Sequence, residues 1–255
     1  MIIVRTPLRI SIAGGGTDIP QRRSKHGCMF ISAAIDKYIY ITFHESLYAK
    51  SIRARYSKME EVNSLEEIKN EILRETLRYY HKTSGMEITS HADIPTRTGL
   101  GSSGSFGVGL IKSIDPEISK DSLAQTATHI QSSILKYPIG IQDQYVAAFG
   151  GLNMYETGYI DYDNVQIPPL DIKNLEKKLV LFYTGVNRDT NEVLKKSSLE
   201  GLDGIQQLAY QAKKIFEKIN FDDYGKLLNE HWEFKKKRYL GMTNDRIDEW
   251  YELGL

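Results

Sequence analysis

The sequence contains little cysteine and no excess of either charge. Its 255 residues include one cysteine, Cys28, and 33 Lys and Arg residues balance 33 Asp and Glu residues. A single cysteine cannot form an internal disulfide, and no Cys/His cluster has the spacing of a zinc site, so we expect a reduced protein without zinc. Proteins that bind nucleic acid through many phosphates normally carry an excess of basic residues. The zero net charge therefore argues against that class.

Long apolar runs are also absent. No run approaches the roughly 20 residues that a membrane-spanning helix needs. The first residues lack the basic start and long apolar stretch of a signal peptide, and Arg9 would interrupt one. We therefore expect a cytoplasmic globular protein with no membrane partner and with a core of ordinary size for one large or two modest domains.

Hydrophobic periodicity predicts a β-rich first part and a helical last part. Segments with the alternating or β-branched composition of strands are residues 1–5, 8–13, 28–35, 38–44, 52–56, 86–91, 152–155, 165–167 and 179–183, the last of these as a buried strand. Helical spacing is found from Ser64, up to Lys112, over 119–134, from Asn191, over 203–219 and 222–239, and from Asp245. The mixture lacks strict alternation of strand and helix, which favours the α+β class, and a composition shift near Pro168 predicts a domain boundary there.

A glycine- and serine-rich segment follows the strand predicted at residues 86–91. It begins near Pro95 and contains Gly99, Leu100, Gly101, Ser102, Ser103, Gly104 and Ser105. Consecutive glycines let backbone N–H groups turn toward one point, and a helix that begins there adds positive potential, so the segment is suited to bind phosphate. Adjacent serine hydroxyls could reach a phosphate oxygen or Mg²⁺.

Two better-known phosphate loops fit this segment less well. The spacing Gly99-x-Gly101-x-x-Gly104 satisfies the dinucleotide pattern, which should come directly at the end of a first strand, whereas Pro95 and the residues after it intervene. A Walker A loop would require Lys followed by Ser or Thr where Ser105 and Phe106 occur. The lysine that reaches the β- and γ-phosphates is thus absent.

Two further segments could carry chemistry. Arg9 lies within a strand pattern that ends in three glycines followed by Thr17 and Asp18. An unpaired cation in a strand would be costly, so we expect Arg9 to pair with a carboxylate, in a structural ion pair or at an active site. Asp143 follows Gly140-Ile-Gln142, where it could be an ordinary helix-start acid or, if an arginine keeps it ionised, the acceptor of a hydroxyl proton.

The three segments together, in this order, resemble the GHMP small-molecule kinases, the superfamily of galactokinase and mevalonate kinase. The glycines before Thr17-Asp18, the Gln-Asp-Gln-Tyr145 sequence and Tyr183-Thr-Gly185 are similar to bacterial D-glycero-D-manno-heptose 7-phosphate kinases. The resemblance implies an N-terminal ATP-binding domain over residues 1–168, with a mixed sheet and helices. It also implies a C-terminal ferredoxin-like α/β sandwich over residues 169–255.

The resemblance also implies an activity. Mg²⁺-ATP would donate its γ-phosphoryl group to a sugar hydroxyl, the anomeric one in heptose kinases, to supply nucleotide-activated heptose for surface polysaccharide. Such an enzyme has small-molecule partners and no nucleic acid or membrane partner, and a homodimer is left open. Asp143 occupies the position of the family's catalytic aspartate, Arg9 that of its partner arginine, and Ser103 that of a Mg²⁺ ligand.

The substrate would be held by the segment of Gly15, Gly16, Thr17 and Asp18, and Arg188 is placed by sequence to meet an extra sugar phosphate. Many family members have a glutamate, a second Mg²⁺ ligand, about twelve residues before the aspartate. This chain has Gln131 there, and a neutral amide binds Mg²⁺ more weakly than a carboxylate.

A glycine-rich motif expected near the C-terminus is also absent, so we expect a trimmed or incomplete C-terminal domain. The alternatives are a kinase for a fucose- or galactose-like sugar, a non-catalytic homologue that binds nucleotide or sugar, and, more remotely, a dinucleotide-dependent oxidoreductase.

Overall fold

The strand-like segments of the N-terminal part form strands in the computed structural model. β1 is Ile2–Ala13, β2 is Cys28–Glu45 and β3 is Ile52–Arg55. Residues 28–35 and 38–44, which we predicted as two strands, form the single strand β2, because the residues between them include no glycine or proline to interrupt it. The later strands are β4 (Met59–Val62), β5 (Met86–Ala92) and β6 (Leu152–Thr157).

The structure describes residues 1–46, 48–158, 165, 175–186, 201–218, 221–238 and 243–255. The chain forms two units, one of Met1–Ile10 and Ala34–Gly151, and a second of Ser11–Ala33 and Leu152–Leu255. The domain boundary predicted near Pro168 lies outside the described residues and stays a prediction. The strand predicted at 165–167, apart from Val165, and the helix predicted from Asn191 to 200 lie outside them as well.

Eight α-helices occur in the described residues. They are α1 (Pro20–His26), α2 (Glu71–Tyr79), α3 (Ser102–Ile114), α4 (Lys120–Thr128), α5 (Gln142–Phe149), α6 (Leu202–Glu217), α7 (Phe221–Arg238) and α8 (Asp245–Leu253). None of the described helices has both the length and the apolar character required to cross a bilayer. The mixture of helices and strands confirms the α+β class.

Two predicted helices are shorter than their periodicity suggested. The helix expected from Ser64 is a 3₁₀ turn, Leu65–Glu67, closed by a capping box between Ser64 and Glu67, and α2 starts separately after its N-cap Asn70. The helix expected over 119–134 is α4, capped by Ser119, followed by a π-helical turn, His129–Ile134.

The sheet of the first unit brings distant segments together. β1 neighbours β2, β2 pairs antiparallel with β5, β5 pairs parallel with β3, and β3 pairs antiparallel with β4. Helix α3 contributes Leu110 to the core cluster on the sheet, and Val108 and Ile111 to a second cluster with α4 and α5. The start of α3 is thereby fixed relative to both the sheet and α5.

The second unit pairs the first part of β2 with β6. The two strands are antiparallel from Cys28 opposite Thr157 to Ala33 opposite Leu152. Helices α6 and α7 pack together, and the hydroxyl of Tyr224 on α7 donates a hydrogen bond to the carbonyl of Ile12 at 3.0 Å. The described C-terminal residues are mainly helical.

The buried strand predicted at residues 179–183 is wrong. These residues form no strand, and the side chains of Val180 and Phe182 are 77% and 81% exposed. An apolar run becomes a buried strand only where a neighbouring strand and a core are available to cover it. No described strand pairs with this run.

Burial of His231 predicts a loss of stability in acid. The Nε2 atom of His231 accepts a hydrogen bond from the Gly14 N–H at 3.4 Å, and burial, with a smaller effect of Lys235, lowers its pKa to about 3. The folded protein keeps this imidazole neutral, whereas the unfolded chain takes up a proton below pH 6.5. Its stabilising contribution is therefore complete above pH 6.5 and is lost as pH falls toward 3.

We expect this histidine to remove about 2 kcal/mol of the free energy of unfolding between pH 7.5 and pH 5. Urea unfolding at the two pH values, for the wild-type protein and His231→Gln, measures it. The glutamine has no titrating group, so the variant should lose less stability over this range by that amount. An equal loss in both proteins would contradict the prediction.

Candidate active site

Arg9 and Asp143 are 134 positions apart in the sequence and form an ion pair in the first unit. Arg9 Nε donates to Asp143 Oδ1 at 2.8 Å. The two side chains are 13% and 25% exposed. Arg9 lies on β1, and Asp143 lies in the first turn of α5. The aspartate that we predicted as proton acceptor is therefore held by the predicted arginine and still reaches solvent.

The same arginine holds the glycine-rich loop. Its Nη1 donates to the carbonyl of Gly99 at 2.7 Å, and its backbone N–H donates to the carbonyl of Leu100 at 3.0 Å. Arg9 thus links three elements: its own strand, the loop and the carboxylate of Asp143. An arginine suits this position because its planar guanidinium presents several donors in fixed directions.

The loop leads directly into helix α3. Gly101 is its N-cap in the left-handed conformation and supplies no capping side chain. Because the first N–H groups of a helix have no intrahelical partner and carry the positive end of its dipole, they can bind an anion. This is the position that we predicted for phosphate.

The serines of the loop differ in their surroundings. Ser103 is exposed, whereas Ser105 is fully buried. The hydroxyl of Ser105 donates to the carbonyl of Pro7 at 2.7 Å, and its own carbonyl accepts from the hydroxyl of Thr6 at 2.8 Å. Ser105 therefore attaches α3 to β1, and Ser103 is the better placed of the two to contact a ligand.

Helix α3 approaches α5 closely at Gly104. A Cβ atom added at Gly104 would lie 2.5 Å from Cβ of Asp143, and one added at Gly101 would lie 3.2 Å from Cγ of Asp143. At Gly104 only a residue without a side chain allows this approach. The sequence shows these glycines, but their contact with Asp143 is a tertiary feature.

Two predicted magnesium contacts have different environments. The exposed hydroxyl of Ser103 fits an oxygen ligand for Mg²⁺. Gln131 is 0% exposed, and its side-chain oxygen accepts a hydrogen bond from Gln144 Nε2 at 3.1 Å. In the part of the chain that the structure describes, no three His, Cys, Asp or Glu side chains form a cluster that could bind a metal.

The predicted substrate segment lies in the second unit, where it is tightly bonded. Thr17 is fully buried, and its hydroxyl lies 2.8 Å from the carbonyl of Gly14 and 3.1 Å from that of Met29. Asp18 is 4% exposed, and its Oδ1 accepts from the N–H of Gly16 at 3.1 Å. Their role toward the sugar, with that of Gly15, stays a prediction.

Two basic residues bear on the binding of an extra sugar phosphate: Arg22, which follows the predicted substrate segment on α1, and Arg188, which we predicted to meet that phosphate. Arg22 is buried, and its guanidinium donates to the carbonyl of Gly27 at 2.6 Å, to Asp203 Oδ1 at 2.8 Å and to Gln206. It therefore attaches α1 to α6. Arg188 lies outside the described residues, so its contact with a phosphate stays a prediction.

A protein-family model matches the part of the chain that contains the glycine-rich loop and Asp143. Residues 66–151 match the family model described as the GHMP kinases N terminal domain. The matched part contains the glycine-rich loop, Gln131 and Asp143. This part of the chain therefore corresponds to a GHMP kinase N-terminal domain. The chain is accordingly a phosphotransferase that acts on an alcohol group, of the sugar-kinase kind.

Two curated relatives match nearly the whole chain. D-glycero-alpha-D-manno-heptose 7-phosphate kinase of Campylobacter jejuni is 28% identical over 285 residues, which cover 100% of this chain and 83% of the relative. Galactokinase of Thermococcus kodakarensis is 26% identical, with 96% of this chain and 69% of the relative covered.

Solved structures show the same fold. The D-glycero-D-manno-heptose 1-phosphate kinase from Bacteroides thetaiotaomicron superposes with a TM-score of 0.75 at 24% identity, over 93% of this chain and 80% of that one. A putative sugar kinase from Campylobacter jejuni gives a TM-score of 0.73 at 28% identity, over 98% of this chain and 80% of that one. The predicted GHMP kinase fold is thus confirmed.

Sequence reasoning missed the surroundings of the catalytic candidates. Gln144, next to Asp143, is almost fully buried and bonds to Gln131. Helix α3 also approaches Gln131 closely at Gly107, where an added Cβ would lie 2.5 Å from Gln131 Nε2. The available signal was a second small residue one helical turn after Gly104.

Proposed function

We propose that this GHMP kinase transfers the γ-phosphoryl group of ATP to the anomeric hydroxyl of D-glycero-D-manno-heptose 7-phosphate. The observation that carries the chemistry is the Arg9–Asp143 ion pair, which the same arginine ties to the loop before α3. The heptose substrate is supported by likeness to the Campylobacter heptose kinase along the whole of this chain.

In this proposal Asp143 accepts the proton of the sugar hydroxyl. The sugar oxygen then forms a bond to the γ-phosphorus while the bond from phosphorus to the oxygen of ADP breaks. A positioned general base contributes typically about 10²- to 10⁴-fold to the rate. Arg9 fixes the direction of the carboxylate, because one of its oxygens is bound to the guanidinium.

The loop would hold the ATP phosphates through the N–H groups at the start of α3. Phosphoryl transfer depends mainly on positioning and on stabilising charge, so fixed backbone donors suit it. Ser103 would hold Mg²⁺. When bound, this ion neutralises charge on the phosphate oxygens.

Sugar recognition is assigned to the other predicted segment. Gly15, Gly16, Thr17 and Asp18 would contact sugar hydroxyls, and Arg188 would bind the 7-phosphate. The kinase would act on small molecules in the cytoplasm, with no nucleic acid or membrane partner, and its product would supply nucleotide-activated heptose for surface polysaccharide. A homodimer is left open.

A galactose-like sugar is the second candidate substrate. It is favoured by the 26% identity to the Thermococcus galactokinase over 96% of this chain. Galactose carries no phosphate, so this candidate requires no cation such as Arg188 at the far end of the sugar.

Measurement of ADP release with a panel of sugars distinguishes the candidates. We expect kcat/KM for D-glycero-D-manno-heptose 7-phosphate to exceed that for galactose, fucose and the unphosphorylated heptose by at least about 100-fold, as expected when a site built for a phosphate loses it. Phosphorus NMR of the product should show an anomeric phosphate. Higher kcat/KM for galactose would select the second candidate. Binding of ATP without turnover of any sugar would indicate a non-catalytic homologue.

A further inference from the structure

We propose that Gln131 is a positioning residue whose amide joins the start of helix α3 to the start of helix α5, and that it is not a ligand of magnesium. The inference rests on the proposed kinase function. In that proposal the glycine-rich loop before α3 binds the ATP phosphates, and Asp143 on α5 accepts the proton. Gln131 lies in the π-helical turn after α4. Such turns are frequent at functional sites.

The amide of Gln131 bridges two neighbours. Its Nε2 donates to the carbonyl of Ser103 at 3.4 Å, and its Oε1 accepts from Gln144 Nε2 at 3.1 Å. Gln131 is 0% exposed and Gln144 is 1% exposed, so water does not compete for these groups. Ser103 is in the first turn of α3, and Gln144 directly follows Asp143.

The direction of both amides follows from the carbonyl of Ser103. A carbonyl only accepts hydrogen bonds, so Gln131 must present its nitrogen to Ser103 and its oxygen to Gln144. Gln144 must then present its own nitrogen to Gln131. This order leaves the oxygen of Gln144 buried without a hydrogen-bond partner. A carboxylate at position 131 could not donate to Ser103.

The packing around the bridge leaves little freedom. A Cβ atom at Gly107 would lie 2.5 Å from Gln131 Nε2, and one at Gly104 would lie 2.5 Å from Cβ of Asp143. These two glycines form a flat surface on α3 against which the amide and the aspartate lie. This surface encloses the amide of Gln131. A ligand of magnesium must instead be accessible to an ion that keeps several water molecules and also binds phosphates.

The bridge would therefore fix the distance between the phosphate loop and the proton acceptor. Displacement of a reacting group by about 1 Å can cost about 10²-fold in rate. An interaction that matters chiefly in the transition state lowers kcat when it is lost and leaves KM nearly unchanged.

A double-mutant cycle tests the bridge. We expect Gln131→Met and Gln144→Met each to lower kcat by about 10- to 100-fold, with KM for ATP and sugar changed by less than about threefold. The double variant should lose about as much as one single variant, because either change breaks the same bridge. Gln125→Met, at an exposed position on α4, is the matched control and should retain wild-type kinetics. Multiplicative losses, or unchanged kcat in both single variants, would overturn the proposal.

Gln131→Glu separates the bridge from a metal site. If Gln131 positions the helices, this variant should lose kcat as Gln131→Met does, show no lower half-saturating Mg²⁺ concentration, and unfold at a lower temperature in the absence of metal and nucleotide. A lower half-saturating Mg²⁺ concentration with kcat at or above that of the wild type would instead identify a metal ligand and refute the proposal.

Failure of the proposed bridge can be distinguished from failure of the proposed kinase function. A wild-type protein that turns over no sugar would refute the proposed function. The cycle would then be read from the free energies of unfolding of the four proteins in urea. Additive effects of Gln131→Met and Gln144→Met on that free energy would overturn the bridge.

Discussion

Asp143→Asn should lower kcat for sugar phosphorylation by about 10²- to 10⁴-fold, the usual contribution of a general base. Asparagine keeps an oxygen where Arg9 Nε now donates at 2.8 Å, so the contact that orients residue 143 can persist. What is lost is the ability to accept a proton. Steady-state ADP release with the preferred sugar and saturating ATP measures the effect.

Two measurements make this result specific. The dissociation constant for ATP should stay within about threefold of the wild type. Loss of the proton acceptor affects the phosphoryl-transfer step and not the binding of ATP in the ground state. The midpoint of urea unfolding, compared with that of the wild type, shows whether the protein stays stable when Arg9 lies beside a neutral side chain. An Asp143→Asn enzyme with at least half the wild-type kcat would refute the role assigned to the aspartate.

Gly14→Ala should strongly destabilise the second unit. Gly14 has φ +78°, and a Cβ there would lie 2.2 Å from the carbonyl oxygen of Met29 and 2.8 Å from Cβ of Ala209. The left-handed conformation costs about 1–2 kcal/mol for an L-residue, and overpacking adds about 1–3 kcal/mol. We therefore expect the free energy of unfolding to fall by roughly 2–5 kcal/mol.

Gly201→Ala is the matched control for this variant. Gly201 has φ +76°, nearly the same conformation, but no atom lies within 4 Å of an added Cβ. Its replacement should cost only the conformational part, about 1–2 kcal/mol. Urea unfolding of both variants measures the difference. Equal losses would mean that the contact with Met29 does not constrain the loop.

Local pattern predicted much of the architecture. The strands β1, β3, β5 and β6 and the helices α3, α6 and α7 begin and end near the predicted positions, because alternation and helical spacing report which face of an element is buried. The same signal was wrong for residues 179–183. Hydrophobicity shows that a segment could be buried, but whether a partner strand is present depends on residues far away in the sequence.

The candidate site divides in the same way. Arg9 within a strand had to find a carboxylate, and the resemblance to the family indicated Asp143 as that partner. The carbonyls of Gly99 and Leu100, which the same arginine side chain and its backbone also bind, could not be inferred. Gln131 was predicted as a weak metal contact from its position, and its hydrogen bonds to Ser103 and Gln144 suggest another role.

The sequence by itself determined the low cysteine content and the charge balance, which excluded other classes of protein, and the order of three motifs, which carries the resemblance to the GHMP kinases. These are properties of composition and spacing, and they do not change with folding. The tertiary structure alone decided that Arg9, Asp143 and the glycine-rich loop form one hydrogen-bonded group, and that the amide of Gln131 is enclosed against α3. Such contacts join residues far apart in the sequence, so they depend on how the elements pack, which no local pattern specifies.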